Sequence, residues 1–284
     1  MIRQIKYVNS LGHSVEFGGE SEPDANRRAG LVWHFGETDI FNISQDYESV
    51  GNAITAFTTG IREFSLVAYM ADGSIEERNR FVDVISYDTY TANKGRLYAG
   101  GSYMDCWISS AEISRWHNHD YFAVYDLTIV TDSPVWVREE TVTLTQNVSK
   151  PIGGLNYPYN YPHNYLKANT TSTNLSNNFQ LPAKCDISFA GPCVSPYVII
   201  GGNRYQVNET AEKGQLIVIR GYGTKDIVLK EAEGAENSVF SSGVRESGAM
   251  VFAEIPVGKN LVSWPGTPNI EVKMYEERRS PWWE

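Results

Sequence analysis

Apolar and polar residues alternate in short runs along most of this chain, the period-two signature of strands that bury one face. In the first half such runs fall at 5–9, 14–17, 31–35, 61–69, 106–114, 122–131 and 135–144. The strongest is Phe122-Ala123-Val124-Tyr125-Asp126-Leu127-Thr128-Ile129-Val130. There the apolar set passes from even positions (Phe122, Val124) to odd ones (Leu127, Ile129), and the change of phase predicts a bulge near Asp126. A second series lies at 184–189, 196–200, 203–208, 215–220, 226–230, 237–239, 251–255 and 270–275. Gly201-Gly202-Asn203, Gly221-Tyr222-Gly223 and Gly234 divide it. Short strands with turn residues at regular spacing indicate an antiparallel sandwich.

One segment departs from period two. Asp72-Gly73 reads as a turn, Ser74 as an N-cap, and Glu77 completes a capping box. A helix over roughly 74–87 follows. Ile75, Phe81, Val82 and Ile85 are assigned to its apolar face; Glu76, Arg78, Asn79, Arg80 and Asp83 are assigned to the other. Between 148 and 182 the pattern lapses. Pro151-Ile152-Gly153-Gly154 leads into Tyr157-Pro158-Tyr159-Asn160-Tyr161-Pro162-His163-Asn164-Tyr165 and then an Asn/Thr/Ser-rich tract. A connector of turns and extended pieces is expected. The expected organisation is mainly β: residues 1–147 form a β domain with one α-helix, 148–182 a connector, and 183–284 a β-sandwich.

Near the end, Val251-Phe252-Ala253-Glu254-Ile255 is stopped by Pro256, which cannot donate to a ladder. Gly258 and Asn260 supply turn geometry before the run 270–275. The chain finishes Pro281-Trp282-Trp283-Glu284. Adjacent tryptophans are costly to leave in water, so Trp282 and Trp283 are expected to dock as a plug.

The bulk numbers narrow the function. With 284 residues, 42% hydrophobic and 20% charged, the chain is an ordinary globular one long enough for two domains. A net charge of −10 without a Lys/Arg cluster argues against a nucleic-acid partner. No apolar run reaches the roughly 18 residues of a membrane span. Met1 to Tyr7 lacks a signal-peptide apolar stretch, which gives the expectation of synthesis in a cytoplasm. Cys106, Cys185 and Cys193 are too scattered for a disulfide framework or a zinc site and read as buried free thiols.

Candidate chemistry is sparse. His117-Asn118-His119-Asp120 reads either as a metal-ligand cluster on a strand or as a polar turn between two strands. Turn residues dominate it, and no third ligand is evident. The carboxylate pairs Glu76-Glu77, Glu139-Glu140 and Glu276-Glu277 are adjacent in sequence, and adjacent residues on a strand point to opposite sides. No nucleophile elbow, phosphate-binding glycine loop or zinc-protease motif is present. No catalytic residue, metal or cofactor is assigned. The tyrosines Tyr157, Tyr159, Tyr161 and Tyr165, together with Trp264, remain as aromatic surface for a protein interface or for stacking on a saccharide.

The order of several short motifs resembles the distal tail proteins of long-tailed, non-contractile bacteriophages. These motifs are Tyr7-Val8-Asn9-Ser10-Leu11-Gly12 with Ser14-Val15-Glu16-Phe17-Gly18, then Gly60-Ile61-Arg62 before the helix, then Phe122 through Asp132-Ser133-Pro134-Val135-Trp136. The 154–165 connector, Phe252–Asn260 and the Pro281-Trp282-Trp283 ending complete the set. The resemblance implies an N-terminal β domain that closes into a homo-hexameric ring and a C-terminal galectin-like β-sandwich. It implies a virion protein of the tail tip, made in the bacterial host cytoplasm. Its partners would be the tail-tube protein, the tail-associated lysin or tip protein, and receptor-binding proteins. Such a protein is a structural hub and not an enzyme. Glu76, Arg78, Asn79, Arg80 and Asp83 are then the expected ring contacts. The alternative function is a carbohydrate-binding protein that contacts host cell-wall saccharide through the C-terminal sandwich, and a cell-wall hydrolase is a third.

Overall fold

The computed structural model describes residues 4–18, 33–43, 45–70, 75–117, 122–145 and 171–282. The chain divides into two units, one of Met1–Arg138 with Glu277–Glu284 and one of Glu139–Glu276. It passes from the first to the second within one strand and returns within another.

The first unit carries β1 (Gln4–Val8), β2 (Ser14–Gly18), β3 (Trp33–Thr38), β4 (Asp46–Val50), β5 (Ala53–Thr58), β6 (Arg62–Met70), α1 (Ile75–Thr91), β7 (Gly95–Ala99), β8 (Ser102–His117), β9 (Phe122–Thr131) and the start of β10 (Trp136–Leu144). β1, β2, β3, β6, β9, β8 and β7 form a closed circuit of pairings, antiparallel except for β2 with β3. Closure leaves no unpaired edge in that circuit. β4 and β5 pair only with each other.

The bulge expected in β9 lies in its partner instead. Ala123, Tyr125, Leu127 and Ile129 all point inward without interruption, and the register slips at Ile108/Ser110 and Ile113/Arg115 of β8. Val124 is buried as well, which is why apolar residues alone gave a false phase change.

Helix α1 runs four residues beyond the expected end, and it buries Phe81, Val84, Ile85 and Asp88. That i, i+3, i+4, i+7 spacing is one helical face. It excludes two residues assigned to the apolar side: Ile75 is 65% exposed and Val82 is also exposed. Phe81 packs at 4.3 Å from Trp33 and 5.5 Å from Tyr125, with Phe17 edge-on at 6.3 Å. This aromatic knot joins the helix to β2, β3 and β9.

The second unit contains β11 (Thr171–Asn177), β12 (Lys184–Ala190), β13 (Cys193–Val194), β14 (Tyr197–Ile200), β15 (Asn203–Gln206), β16 (Thr210–Ala211), β17 (Leu216–Arg220), β18 (Asp226–Lys230), β19 (Glu236–Ser238), β20 (Arg245–Glu246), β21 (Ala249–Met250), β22 (Gly258–Trp264) and most of β23 (Ile270–Arg278). One sheet has the order β19-β18-β17-β12-β23, the other β11-β22-β14-β15. Ile187, Ile217 and Val272 from the first share a core with Leu175, Val198 and Val262 from the second. Two antiparallel sheets closing on one apolar layer make the expected sandwich.

Three boundaries differ from the sequence reading. Residues 277–284 belong to the first unit, and the unit limits fall at 138/139 and 276/277 rather than at 147 and 183. The expected connector 148–182 contains β11, whose only apolar residue is Leu175 and which is held by its pairing with β22. Finally, 251–255 is not a strand: it turns, then makes a lone bridge from Ile255 to Ala183. The strand lies at Gly258–Trp264, where a turn was expected. There Asn260 is an inward residue whose amide donates to the carbonyls of Pro256 and Gly258 at 2.7 and 3.1 Å.

Candidate functional site

The five helix residues expected at a ring contact divide into two kinds. Arg78 is half-buried; its Nε donates to the Tyr125 hydroxyl at 3.1 Å and its guanidinium lies 5.3 Å over the Trp116 ring. Arg80 donates to Glu77 at 3.3 Å and to the Ser14 carbonyl at 3.2 Å. Both arginines hold α1 to its own unit. Glu76, Asn79 and Asp83 are exposed along the helix.

Trp264 is not surface. It is 2% exposed, inward on β22 with Asn260 and Val262. A ring so placed cannot stack on a saccharide, and that candidate contact is corrected. Tyr157, Tyr159, Tyr161, Tyr165 and Trp283 lie outside the described residues, as do Asn118, His119 and Asp120. His117 ends β8 and pairs with Phe122 of β9, so the strands on either side of that run are consecutive partners. Among the described residues no group of three His, Cys, Asp or Glu is placed to hold a metal.

Trp282 packs on the core of the first unit, not on the sandwich. Arg138 and Arg278 lie 4.8 and 4.6 Å from its ring centroid. Gly100, at φ +54°, leaves room for the Trp282 carbonyl, and a Cβ there would collide with it. The thiols of Cys106 and Cys185 are buried, while Cys193 is half-buried. Burial pushes Cys185 up to about 12 and also raises Cys106 and Cys193.

The prominent feature that sequence reasoning missed is the β4–β5 hairpin. Every residue of both strands is exposed. Tyr47, Val50, Ile54 and Phe57 stand 62%, 73%, 55% and 64% open to solvent. Tyr47 pairs with Phe57 across the ribbon. The local signal is the Gly51-Asn52 turn, with Gly51 at φ +63° as a two-residue hairpin turn favours, because the flanking runs do not alternate apolar and polar residues. A two-stranded ribbon is marginal alone in water, and large apolar side chains on both strands mark it as a contact element.

No family model and no curated protein matches the chain. Solved structures do. A chain of the phage P2 baseplate in its activated conformation with Ca superposes with a TM-score of 0.60 at 14% identity, covering 99% of this chain and 100% of that one. The phage p2 baseplate in its activated conformation with Sr gives 0.59 at 12% identity, with 99% of each chain covered. The SPP1 Dit (gp 19.1) protein, a paradigm of hub adsorption apparatus in phages infecting Gram-positive hosts, gives 0.49 at 10% identity over 87% of this chain and 94% of that one. From end to end, this mainly β chain therefore has the fold of a phage baseplate protein, the structural class that its sequence resembles.

Proposed function

We propose that the chain is a structural hub of a long non-contractile phage tail tip, present as a homo-hexameric ring. The ring joins the tail-tube protein to the tail-associated lysin or tip protein and offers attachment to receptor-binding proteins. Its role is architectural, with no catalysis or cofactor assigned, and its place is the virion. The observation that carries this reading is the fold shared over the whole length of both chains with a baseplate component. The exposed hairpin adds support for the ring. A head-to-tail interface that closes on rotation generates a ring, and β4–β5 supplies an apolar ribbon for a neighbouring copy to cover. Glu76, Asn79 and Asp83 stay as polar contacts at the same kind of interface.

The test is the mass of the purified protein by light scattering together with negative-stain images. Six-fold rings are expected. A strict monomer at every concentration and salt, alone and when mixed with tail-tube protein, removes the ring.

A further inference from the structure

The two faces that the sandwich turns away from its core treat charge in opposite ways. Strands β12, β17, β18, β19 and β23 of one sheet carry residues of both signs. Arg220 and Lys230 pair there with Glu236 at 2.7 and 3.6 Å, and Lys273 pairs with Glu139 at 3.1 Å. That is a solvated, ion-paired surface. Strands β11, β22, β14 and β15 of the other sheet contain no Asp or Glu, in a chain with 34 acidic and 24 basic residues.

Register places the side chains of this second face. Leu261 of β22 lies opposite Asn174 of β11 and stands 63% open to solvent. Ser263, two residues on, pairs with Ile199 of β14, and Ile199 pairs with Arg204 of β15. Leu261, Ile199 and Tyr197 thus form an apolar diagonal across the two central strands. Gly201, whose N–H donates to the Leu261 carbonyl at 3.0 Å, has no side chain to cover the leucine from β14. Lys259, two residues before Leu261, is exposed. The Arg204 guanidinium lies 4.1 Å over the Tyr197 ring. Neither cation has a carboxylate in ion-pair range among the described residues.

An apolar centre that includes a tyrosine and an arginine, with small polar residues around it and carboxylates missing, has the make-up of a protein-binding patch. Its charge selects the occupant. Two copies set face to face would bring like cations together with nothing to neutralise them, so the patch is not self-complementary. Nor does it hold a fully open aromatic ring for a sugar, since Arg204 covers one side of Tyr197.

We propose that the β11-β22-β14-β15 face docks a different tail protein, one that sets carboxylates around an apolar hollow for Leu261. This docking rests on the hub role and gives that role an attachment surface.

The experiment has two parts. Maleimide labelling of Leu261→Cys and Glu271→Cys, corrected for wild type, is compared in the isolated protein and in assembled tails. Glu271 is exposed on the ion-paired sheet, opposite Ser188. Both variants should react in the isolated protein; in tails Leu261→Cys should slow about tenfold or more while Glu271→Cys keeps its rate. Calorimetry then measures binding of the receptor-binding protein and of the tip protein encoded with this chain, each purified. One of them is expected to bind, about tenfold more weakly in Lys259→Glu and in Leu261→Asp, and more weakly as salt is raised. Lys225→Glu, in the exposed turn between β17 and β18, should bind like wild type. Equal labelling of Leu261→Cys inside and outside tails, no binding of either protein, or equal binding by wild type and Lys259→Glu overturns the docking face. Saturable binding of host cell-wall polysaccharide with neither protein bound also overturns it and gives the face to an anionic saccharide. A monomer that still loses its partner in Lys259→Glu removes the ring and keeps the face. Rings that bind the partner equally in both forms do the reverse.

Discussion

A single buried carboxylate fixes the end of the only α-helix among the described residues. Asp88 accepts from the Tyr7 hydroxyl at 2.6 Å through Oδ2, and from the Ser10 backbone N–H at 2.9 Å and hydroxyl at 2.6 Å through Oδ1. Burial, followed by this bond, raises the Tyr7 phenol well above its ordinary value, so Tyr7 remains a donor at any working pH. Asp88→Ala strands the buried Tyr7 hydroxyl and removes two part-buried bonds from Ser10, and should cost about 1–3 kcal/mol. The midpoint of urea unfolding reads that loss. Asp88→Asn, with the same shape, should cost less. The cysteines give a second residue-level expectation. Reactivity follows the thiolate, so in the folded protein at pH 8 iodoacetamide should modify half-buried Cys193 slowly and leave Cys106 and Cys185 intact. Peptide mass spectrometry before and after denaturation checks the order.

At the scale of elements, the hairpin and the sandwich edge behave differently. If β4–β5 is a contact between copies, Phe57→Asp should dissociate the assembly while leaving the melting temperature of the monomer within about a degree, because surface substitutions cost little in the fold itself. Sedimentation velocity distinguishes that from unfolding. At the sandwich edge, Arg220 of β17 reaches Glu236 of β19 at 2.7 and 2.8 Å, and this contact lowers the Glu236 carboxyl. A depressed carboxyl contributes its full stability above the ordinary value of 4.5 and loses it as pH falls through the folded value. The melting temperatures of wild type and Glu236→Gln should therefore converge in acid and separate toward neutrality. Which elements were legible follows from the same physics. β9, β12, β17 and β18 show apolar residues on the face they bury, and Phe81 and Ile85 mark part of the buried face of α1, whose expected Asp72-Gly73 turn and Ser74 cap lie outside the described residues. β11 carries one apolar side chain and exists because β22 pairs with it, so no local pattern could show it. In β4–β5 the Gly51-Asn52 turn was readable, but the strands lack alternation and their exposure was not legible. Trp264 illustrates the limit for sites: an aromatic residue reads the same in sequence whether it faces a core or a ligand. Leu261, Lys259 and Arg204 share a face only through strand register.

At the scale of the whole chain, the two units are unequal in how they are built. The second is one continuous segment, Glu139–Glu276, whereas the first is assembled from both ends of the sequence. Deleting 277–284 should accordingly lower the stability of the first unit, which loses Trp282 from its core, and leave the second unit unchanged. Two calorimetric transitions, of which only one moves, would show this; a shift of both, or of neither, would contradict it.

The same discontinuity sets an order of events during synthesis. A ribosome releases the whole of Glu139–Glu276 before it makes the arginine and tryptophan that finish the first unit. The sandwich therefore has the chance to mature while its companion still waits for Arg278 and Trp282. If the first unit forms the proposed ring, its late completion builds in a delay against premature self-association on the polysome. Nascent chains stalled just short of Glu277 should carry a protease-resistant second unit beside a first unit that is still cut.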